Sequence, residues 1–422
     1  MPKGYPRYVL AVMVGISFLN YLDRWLPTGA GPVIQKDFHL DDFEVGALAS
    51  AFLIVYAVCA IPFGIWADRW IRKSVVGIGV SIWSVATLLT GFAAGYGHLF
   101  ATRAVVGVGE ASYFPAGTSL LADYFPRTAR GRAMSIWSVG QYAGIAVGFA
   151  GGGYLADTIG WRWAFFMTAV PGLILALLAF NLREPKRGSA EERGPVLETV
   201  HEADIRQFVR LLRIRTLVCV IAAQAVLFFV LAANATFMPF VLTRDFGFTA
   251  TRAGIVAGIV LIVGGLVGTL AGGWLGDWRT RKTARGHLEV SAAGFITAAA
   301  ASALALIVDS FPVFIAAFVV AVICISLYNG PFTAISQNVV IPSLRASAVT
   351  LSLFLAHLLG DSYAPAAAGF LSDLFQDLRL ALLVVSPPLL VIAAIVTVIA
   401  FRTVARDHAR MEADWAAHEA AA

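Results

Sequence analysis

Long apolar runs separated by short polar breaks organise this chain of 422 residues. A helix needs about 20 mostly apolar residues to cross the hydrocarbon core of a bilayer. Runs of that kind occur at about 8–31, 43–66, 74–94, 97–121, 133–156 and 160–181, and six more at about 214–240, 250–273, 287–308, 312–341, 346–371 and 378–401. The pattern predicts an all-α membrane protein with twelve transmembrane helices. Between the two sets lies a stretch dense in charge, including Arg183, Glu184, Lys186, Arg187, Glu191, Glu192 and Arg193, too polar for lipid. The expected organisation is therefore an N-terminal six-helix bundle (1–181), a linker (182–213), a second six-helix bundle (214–402) and a tail (403–422).

The two halves repeat each other. After the second run the chain reads Gly64-Ile-Trp-Ala-Asp68-Arg69-Trp-Ile-Arg72-Lys73, and after the eighth Gly273-Trp-Leu-Gly-Asp277-Trp-Arg279-Thr-Arg281-Lys282. Pro115, Pro126 and Asp157 recur in order as Pro331, Pro342 and Asp373. Such duplication is expected of a transporter whose halves rock about a site at the midplane. The two Gly-x-x-x-Asp loops resemble the signature of the major facilitator superfamily, whose fold has two pseudo-symmetric six-helix halves. By that reading Asp68 and Asp277 each meet the positive N-terminal end of a helix in the opposite half. With Arg72, Arg127, Arg130 and Arg281 they form a cytoplasmic latch. Gly140, Gly144, Gly148 and Gly152 step by four along the fifth run and predict close helix packing.

Composition agrees: 59% of residues are hydrophobic and 14% charged, far from the about 25% charged residues of soluble domains. Most of the 31 Lys and Arg fall in alternate connections, which by the positive-inside rule puts both termini in the cytoplasm of a cell inner membrane. The net charge of +5 then reflects topology, not nucleic-acid binding. The first helix is expected to persist in the mature protein, because its apolar run carries Asp23 and Arg24 and lacks a cleavage pattern. Cys59, Cys219 and Cys324 each lie in an apolar run and read as packing residues, without a disulfide or metal site. No phosphate-binding loop occurs, so the energy source is a gradient, and no cofactor is implied.

Ionisable groups at lipid depth are costly unless they face a cavity or a partner. The first run carries Asn20, Asp23, Arg24 and Pro27 on one face, and the fourth carries Arg103 and Glu110 seven residues apart. Depth along the two oppositely running helices lets Asp23 meet Arg103 and Arg24 reach Glu110. Parting such a pair favours proton uptake by the carboxylate, which makes Asp23 and Glu110 candidates for proton coupling. His357 and Asp361, four apart in the eleventh run, read equally as a local contact and as part of the charge network. The second half has Val319 and Ser326 where the first has Arg103 and Glu110. The cavity is thus expected to be lopsided, with charge on one wall and Phe228, Phe237 and Tyr328 on the other. An amphiphile with an ionic head suits both walls.

The strings Asn20-Tyr-Leu-Asp23-Arg24, Arg103-x-x-x-Gly107-Val-Gly-Glu110-Ala-Ser-Tyr113, Arg183-Glu-Pro-Lys-Arg-Gly188 and His357-Leu-Leu-Gly-Asp361 occur in that order. Together they resemble the Spinster family of lysophospholipid and sphingosine-1-phosphate type transporters. The resemblance implies that Asp23, Arg24, Arg103 and Glu110 match a charged network, with Asn20 and Tyr113 beside it. It implies a proton-coupled carrier of a lysolipid or sphingolipid-like solute, working as a monomer in the bilayer by alternating access. A proton symporter for a small organic anion such as a hexuronate is the alternative. An intramembrane lipid-processing enzyme would need a nucleophile or a metal cluster beside the charges, and the sequence offers neither.

Overall fold

The computed structural model describes residues 4–187, 189–190, 205–341 and 344–421. The side chains of Asp68 and Arg127, two of the expected latch residues, lie outside the described set. Among the described residues there is no strand. The helices are α1 (Tyr5–Phe38), α2 (Asp42–Arg69), α3 (Arg72–Gly91), α4 (Tyr96–Ala111), α5 (Tyr113–Tyr124), α6 (Arg127–Thr158), α7 (Trp161–Phe180), α8 (Ile205–Leu211) and α9 (Arg215–Phe246). There follow α10 (Ala250–Thr280), α11 (Gly286–Ile307), α12 (Phe311–Ser326), α13 (Asn329–Asn338), α14 (Arg345–Ala356), α15 (Ala364–Phe375), α16 (Leu378–Ala400) and α17 (Val404–Ala421).

These elements account for the twelve apolar runs, and among the described residues nine segments, one of them α12 and α13 taken together, are long and apolar enough to cross a membrane. Three runs are broken. The fourth divides at Ser112 into α4 and α5, the tenth into α12 and α13, and the eleventh into α14 and α15 through a π-helical turn, His357–Asp361. Pro115, Pro331 and Pro365 sit just beyond the three breaks. A proline lacks the donor for the carbonyl four residues back and its ring crowds that carbonyl, so the ladder gives way there. Two short helices, α8 and α17, are additional to the twelve runs.

Backbone-to-backbone packing explains the glycine row. A Cβ at Gly144 would lie 2.3 Å from the Phe18 carbonyl oxygen, and one at Gly152 would lie 2.4 Å from that of Leu26. Gly140 and Gly148 meet the carbonyls of Val14 and Leu22 in the same register. Only glycine lets α6 lie this close along α1. In α10, Gly268 and Gly272 press against the Ile323 and Leu327 carbonyls of the tenth run in the same way.

The chain forms two compact units. The first holds α1–α7 together with residues 236–258, which include the α9–α10 turn. Within this unit Arg244 at the end of α9 pairs with Asp42 and donates to Gln35, and Asp157 accepts from the backbone and hydroxyl of Thr251. The second unit holds the rest of α9 and α10, and α8 with α11–α17. There the Asp407 carboxylate of α17 accepts from the Thr216 backbone N–H (2.9 Å) and hydroxyl (2.7 Å), capping the start of α9. Val404 and Met411 bury the same face of α17.

Arg72, one of the expected latch residues, has a side chain 1% exposed and ion-paired with Asp123 and Glu184 (2.8 Å to the latter). It also donates to Ser119 and to the Pro185 carbonyl. The Lys73 backbone N–H donates to Glu184 as well, and Arg187 to the Ala67 carbonyl. Arg72 therefore fastens the start of the linker to its own bundle. Of the other latch residues, Arg130 donates to the Ala122 carbonyl, and Arg281 is exposed. Asp277 has a side chain 77% exposed, with His287 Nε2 at 3.9 Å.

Candidate functional site in the first bundle

The interior charges of the first unit are placed by α1, α2 and α4. The α6 glycine row fixes α1, and with it Asn20, Asp23 and Arg24. Two glycines seat α4: a Cβ at Gly107 would lie 2.6 Å from the Phe52 carbonyl oxygen of α2, and one at Gly109 would lie 2.6 Å from the Trp83 nitrogen of α3. The Gly-Val-Gly-Glu string is thus a packing device that brings Arg103 and Glu110 against α1 and Phe52.

Arg24 and Glu110 meet as the sequence suggested. Arg24 Nη2 and Nε donate to Glu110 Oε2 at 3.0 and 3.2 Å. The Glu110 side chain has no exposure and that of Arg24 19%, so the pair opens to solvent only on the arginine side. Three rings surround the guanidinium: its Cζ lies 4.7 Å from the Tyr56 ring centroid, 5.0 Å from that of Phe52 and 5.1 Å from that of Tyr21.

The other expected pair forms differently. Arg103, 5% exposed, lies over Phe52 at 4.9 Å, and its Nη1 donates at 3.4 Å to the backbone carbonyl of Asp23, not to the carboxylate. Asp23 is 2% exposed, and its carboxylate is in no ion pair among the described residues. The hydroxyls of Thr87 and Thr168 face it from α3 and α7. The Thr168 hydroxyl also lies 3.2 Å from the Phe165 carbonyl, a second acceptor for its single proton. Asn20 faces Glu110, with the amide Nδ2 and the carboxylate Oε1 both buried. Tyr113 stands apart: its hydroxyl donates to the Met13 carbonyl (3.1 Å) and accepts from Trp137, which makes it a core strut.

In the second unit the π turn brings His357 Nδ1 to 2.7 Å from Asp361 Oδ2, and the His357 ring lies 4.6 Å from that of Phe228. A Cβ at Gly360 would lie 2.3 Å from the Ala225 carbonyl oxygen, so the π turn presses on α9. Phe228 is half-buried and keeps surface to offer a solute. Tyr328 is 4% exposed among Phe295 and Phe332, and Phe237, in the first unit, has no exposure and packs on Phe240. Both were expected to line a cavity; both are core residues here, because neighbouring helices cover the faces that the apolar pattern left open.

Phe52, Tyr56, Thr87 and Thr168 were missed by sequence reasoning. Aromatic and threonine side chains in an apolar run carry no mark of a polar neighbour. The usable signal was the i, i+4 spacing of Phe52 and Tyr56, which puts two rings on one face of α2.

Comparison with known proteins identifies the family. The sequence profile of the Major Facilitator Superfamily matches residues 13–365. Protein spinster homolog 1 of Xenopus tropicalis is 31% identical over 389 residues, covering 87% of this chain and 73% of the relative. The sphingosine-1-phosphate transporter SPNS2 of the same species is 31% identical over 387 residues, covering 86% and 72%. The crystal structure of a bacterial homologue of the human lysosomal transporter Spinster, inward-facing and occupied, superposes with a TM-score of 0.85 at 26% identity, covering 96% of this chain and 99% of that one. With its all-helical fold, its duplicated halves and its charged interior of α1 and α4, this chain belongs to the Spinster family within the Major Facilitator Superfamily, and it is a multi-pass membrane transporter, not an enzyme.

Proposed function

We propose that the protein is a proton-linked carrier of an anionic, lipid-like amphiphile, working by alternating access in a cell inner membrane with both termini in the cytoplasm. The observation that carries this reading is the Asp23 carboxylate, buried near Arg103 and Glu110 yet in no ion pair. A buried carboxylate in that setting needs either a counter-charge or a proton. With both carboxylates ionised, Asp23, Glu110, Arg24 and Arg103 balance to zero. One proton on Asp23 leaves a single positive charge, which an anionic head restores to neutrality. Proton and solute then favour each other's binding, the condition for coupled transport.

The second unit supports the amphiphile: Phe228 is half-buried there, and the positions that match Arg103 and Glu110 hold the uncharged Val319 and Ser326. The family tie is consistent, since SPNS2 is named as a sphingosine-1-phosphate transporter. Asp68 and Asp277 keep the latch role in this proposal. The test is uptake of a fluorescent lysophospholipid into proteoliposomes with and without an imposed pH gradient. Wild type accumulates the lipid along the gradient and Asp23→Asn only equilibrates it; gradient-independent uptake by wild type would overturn the reading.

A further inference from the structure

The end of the second unit where α9 begins and α16 ends carries an unbalanced charge. Arg210 in α8 and Arg213 and Arg215 after it are exposed, as are Arg402 in the turn before α17 and Arg406 and Arg410 within it. The two groups adjoin, because the Thr216 hydroxyl meets that of Thr403 (2.7 Å) and the Asp407 carboxylate. Among the described residues no carboxylate pairs with any of the six arginines. Asp407 is turned inward to Thr216, and Glu412, 3.5 Å from His408, lies on a different face of α17 from Arg410. Topology asks for an excess of cations on this side; it does not ask for six arginines gathered at one helix junction without a counter-charge.

We propose that these six arginines form a binding surface for the headgroups of anionic two-chain phospholipids of the surrounding bilayer, separate from the path of the transported solute. Their depth suits headgroups: Arg215 opens one membrane-crossing helix, and Arg402 stands two residues past the end of another, Leu378–Ala400. Each guanidinium can grip a phosphate through two parallel N–H bonds, and basic clusters at the cytoplasmic edge of membrane helices attract anionic lipid. Beside them Val209 and Leu212 are 47% and 44% exposed, apolar surface for acyl chains below the arginine heads. The surface is held in place from within. Leu211 is in the core of the second unit with Phe208 packed on it, and the buried Val404, Asp407 and Met411 seat α17. Bound headgroups neutralise like charges that otherwise repel across the junction, so anionic lipid fastens α17 to the start of α9.

The probes are phosphatidylglycerol and phosphatidylcholine of equal chains, titrated onto the full-length protein in detergent and counted as bound lipid by native mass spectrometry. Wild type should bind phosphatidylglycerol about tenfold more tightly. Arg402→Gln, Arg406→Gln and Arg410→Gln together should reduce that preference to about threefold or less, while lysine at the same positions, which keeps the charge, retains most of it. Arg210→Gln with Arg213→Gln repeats the test should the first variant fail to fold. Removing as many charges elsewhere, by Arg281→Gln, Lys282→Gln and Arg285→Gln, leaves the preference unchanged, and so does Arg103→Met in the interior of the first unit. Equal binding of the two lipids by wild type, a preference unmoved by loss of the arginines, or an equal loss from the α10–α11 control or from Arg103→Met overturns the surface and leaves the transport reading standing.

Discussion

The Arg24–Glu110 pair lends itself to a double-mutant cycle whose asymmetry follows from the geometry. Glu110→Gln removes the counter-charge but leaves Arg24 19% exposed and surrounded by three rings. Breaking a buried pair by removing one partner costs about 3–5 kcal/mol. Because the arginine left behind keeps its exposed side, Glu110→Gln should cost the lower end of that range, about 3 kcal/mol. Arg24→Met strands a carboxylate with no exposure and should cost the full amount. The double variant removes both charges and should be more stable than the sum of the singles by about 2 kcal/mol, well beyond the about 0.5 kcal/mol expected of independent sites. Thermal and denaturant unfolding of the purified protein in detergent, at all four corners, reads this directly. An additive double variant, or Glu110→Gln more damaging than Arg24→Met, would refute the reasoning that the pair is a buried ionic unit open on its arginine side.

Other expectations follow from the packing. Arg72→Met leaves Asp123 and Glu184 without their shared guanidinium; since both carboxylates are partly exposed, the loss should be about 2 kcal/mol, with faster protease cleavage in the linker as a second readout. Gly144→Leu places a side chain where a Cβ already lies 2.3 Å from the Phe18 carbonyl oxygen and should abolish a monodisperse elution profile, whereas Gly265→Leu, which faces open space, should not. Asp407→Ala uncaps α9 and should destabilise the protein by about 1 kcal/mol; faster amide exchange in α17 at unchanged exchange in α16 would show that the carboxylate holds the tail helix.

How far the sequence carried can be judged at particular residues. Span positions, the glycine face of α6 and the Arg24–Glu110 contact were legible because each depends on helical spacing and depth alone. Asp23 and Arg103 were brought together as expected, but by a carbonyl instead of a carboxylate: spacing fixes which face a residue occupies, while the exact acceptor depends on how far α4 is drawn in by Gly107 and Gly109. Tyr113, Tyr328 and Phe237 lie on the expected faces, yet Trp137, Phe332 and Phe240 cover them. The pairing of Arg72 was not legible because its partner Glu184 lies 112 residues away, beyond any local pattern. The π turn at His357 leaves no compositional trace apart from Pro365, and the ring cage of Arg24 gathers side chains from two helices whose pairing is a tertiary fact.

The central claim is that one buried carboxylate ties proton movement to the movement of an amphiphile. The most direct measurement is lysolipid accumulation in proteoliposomes under an imposed pH gradient, made on wild type and Asp23→Asn beside solute counterflow at equal pH. Wild type should accumulate lipid with the gradient, and Asp23→Asn should lose accumulation while keeping counterflow, since an amide fills the same space without titrating. Undiminished gradient-driven accumulation by Asp23→Asn would contradict the account.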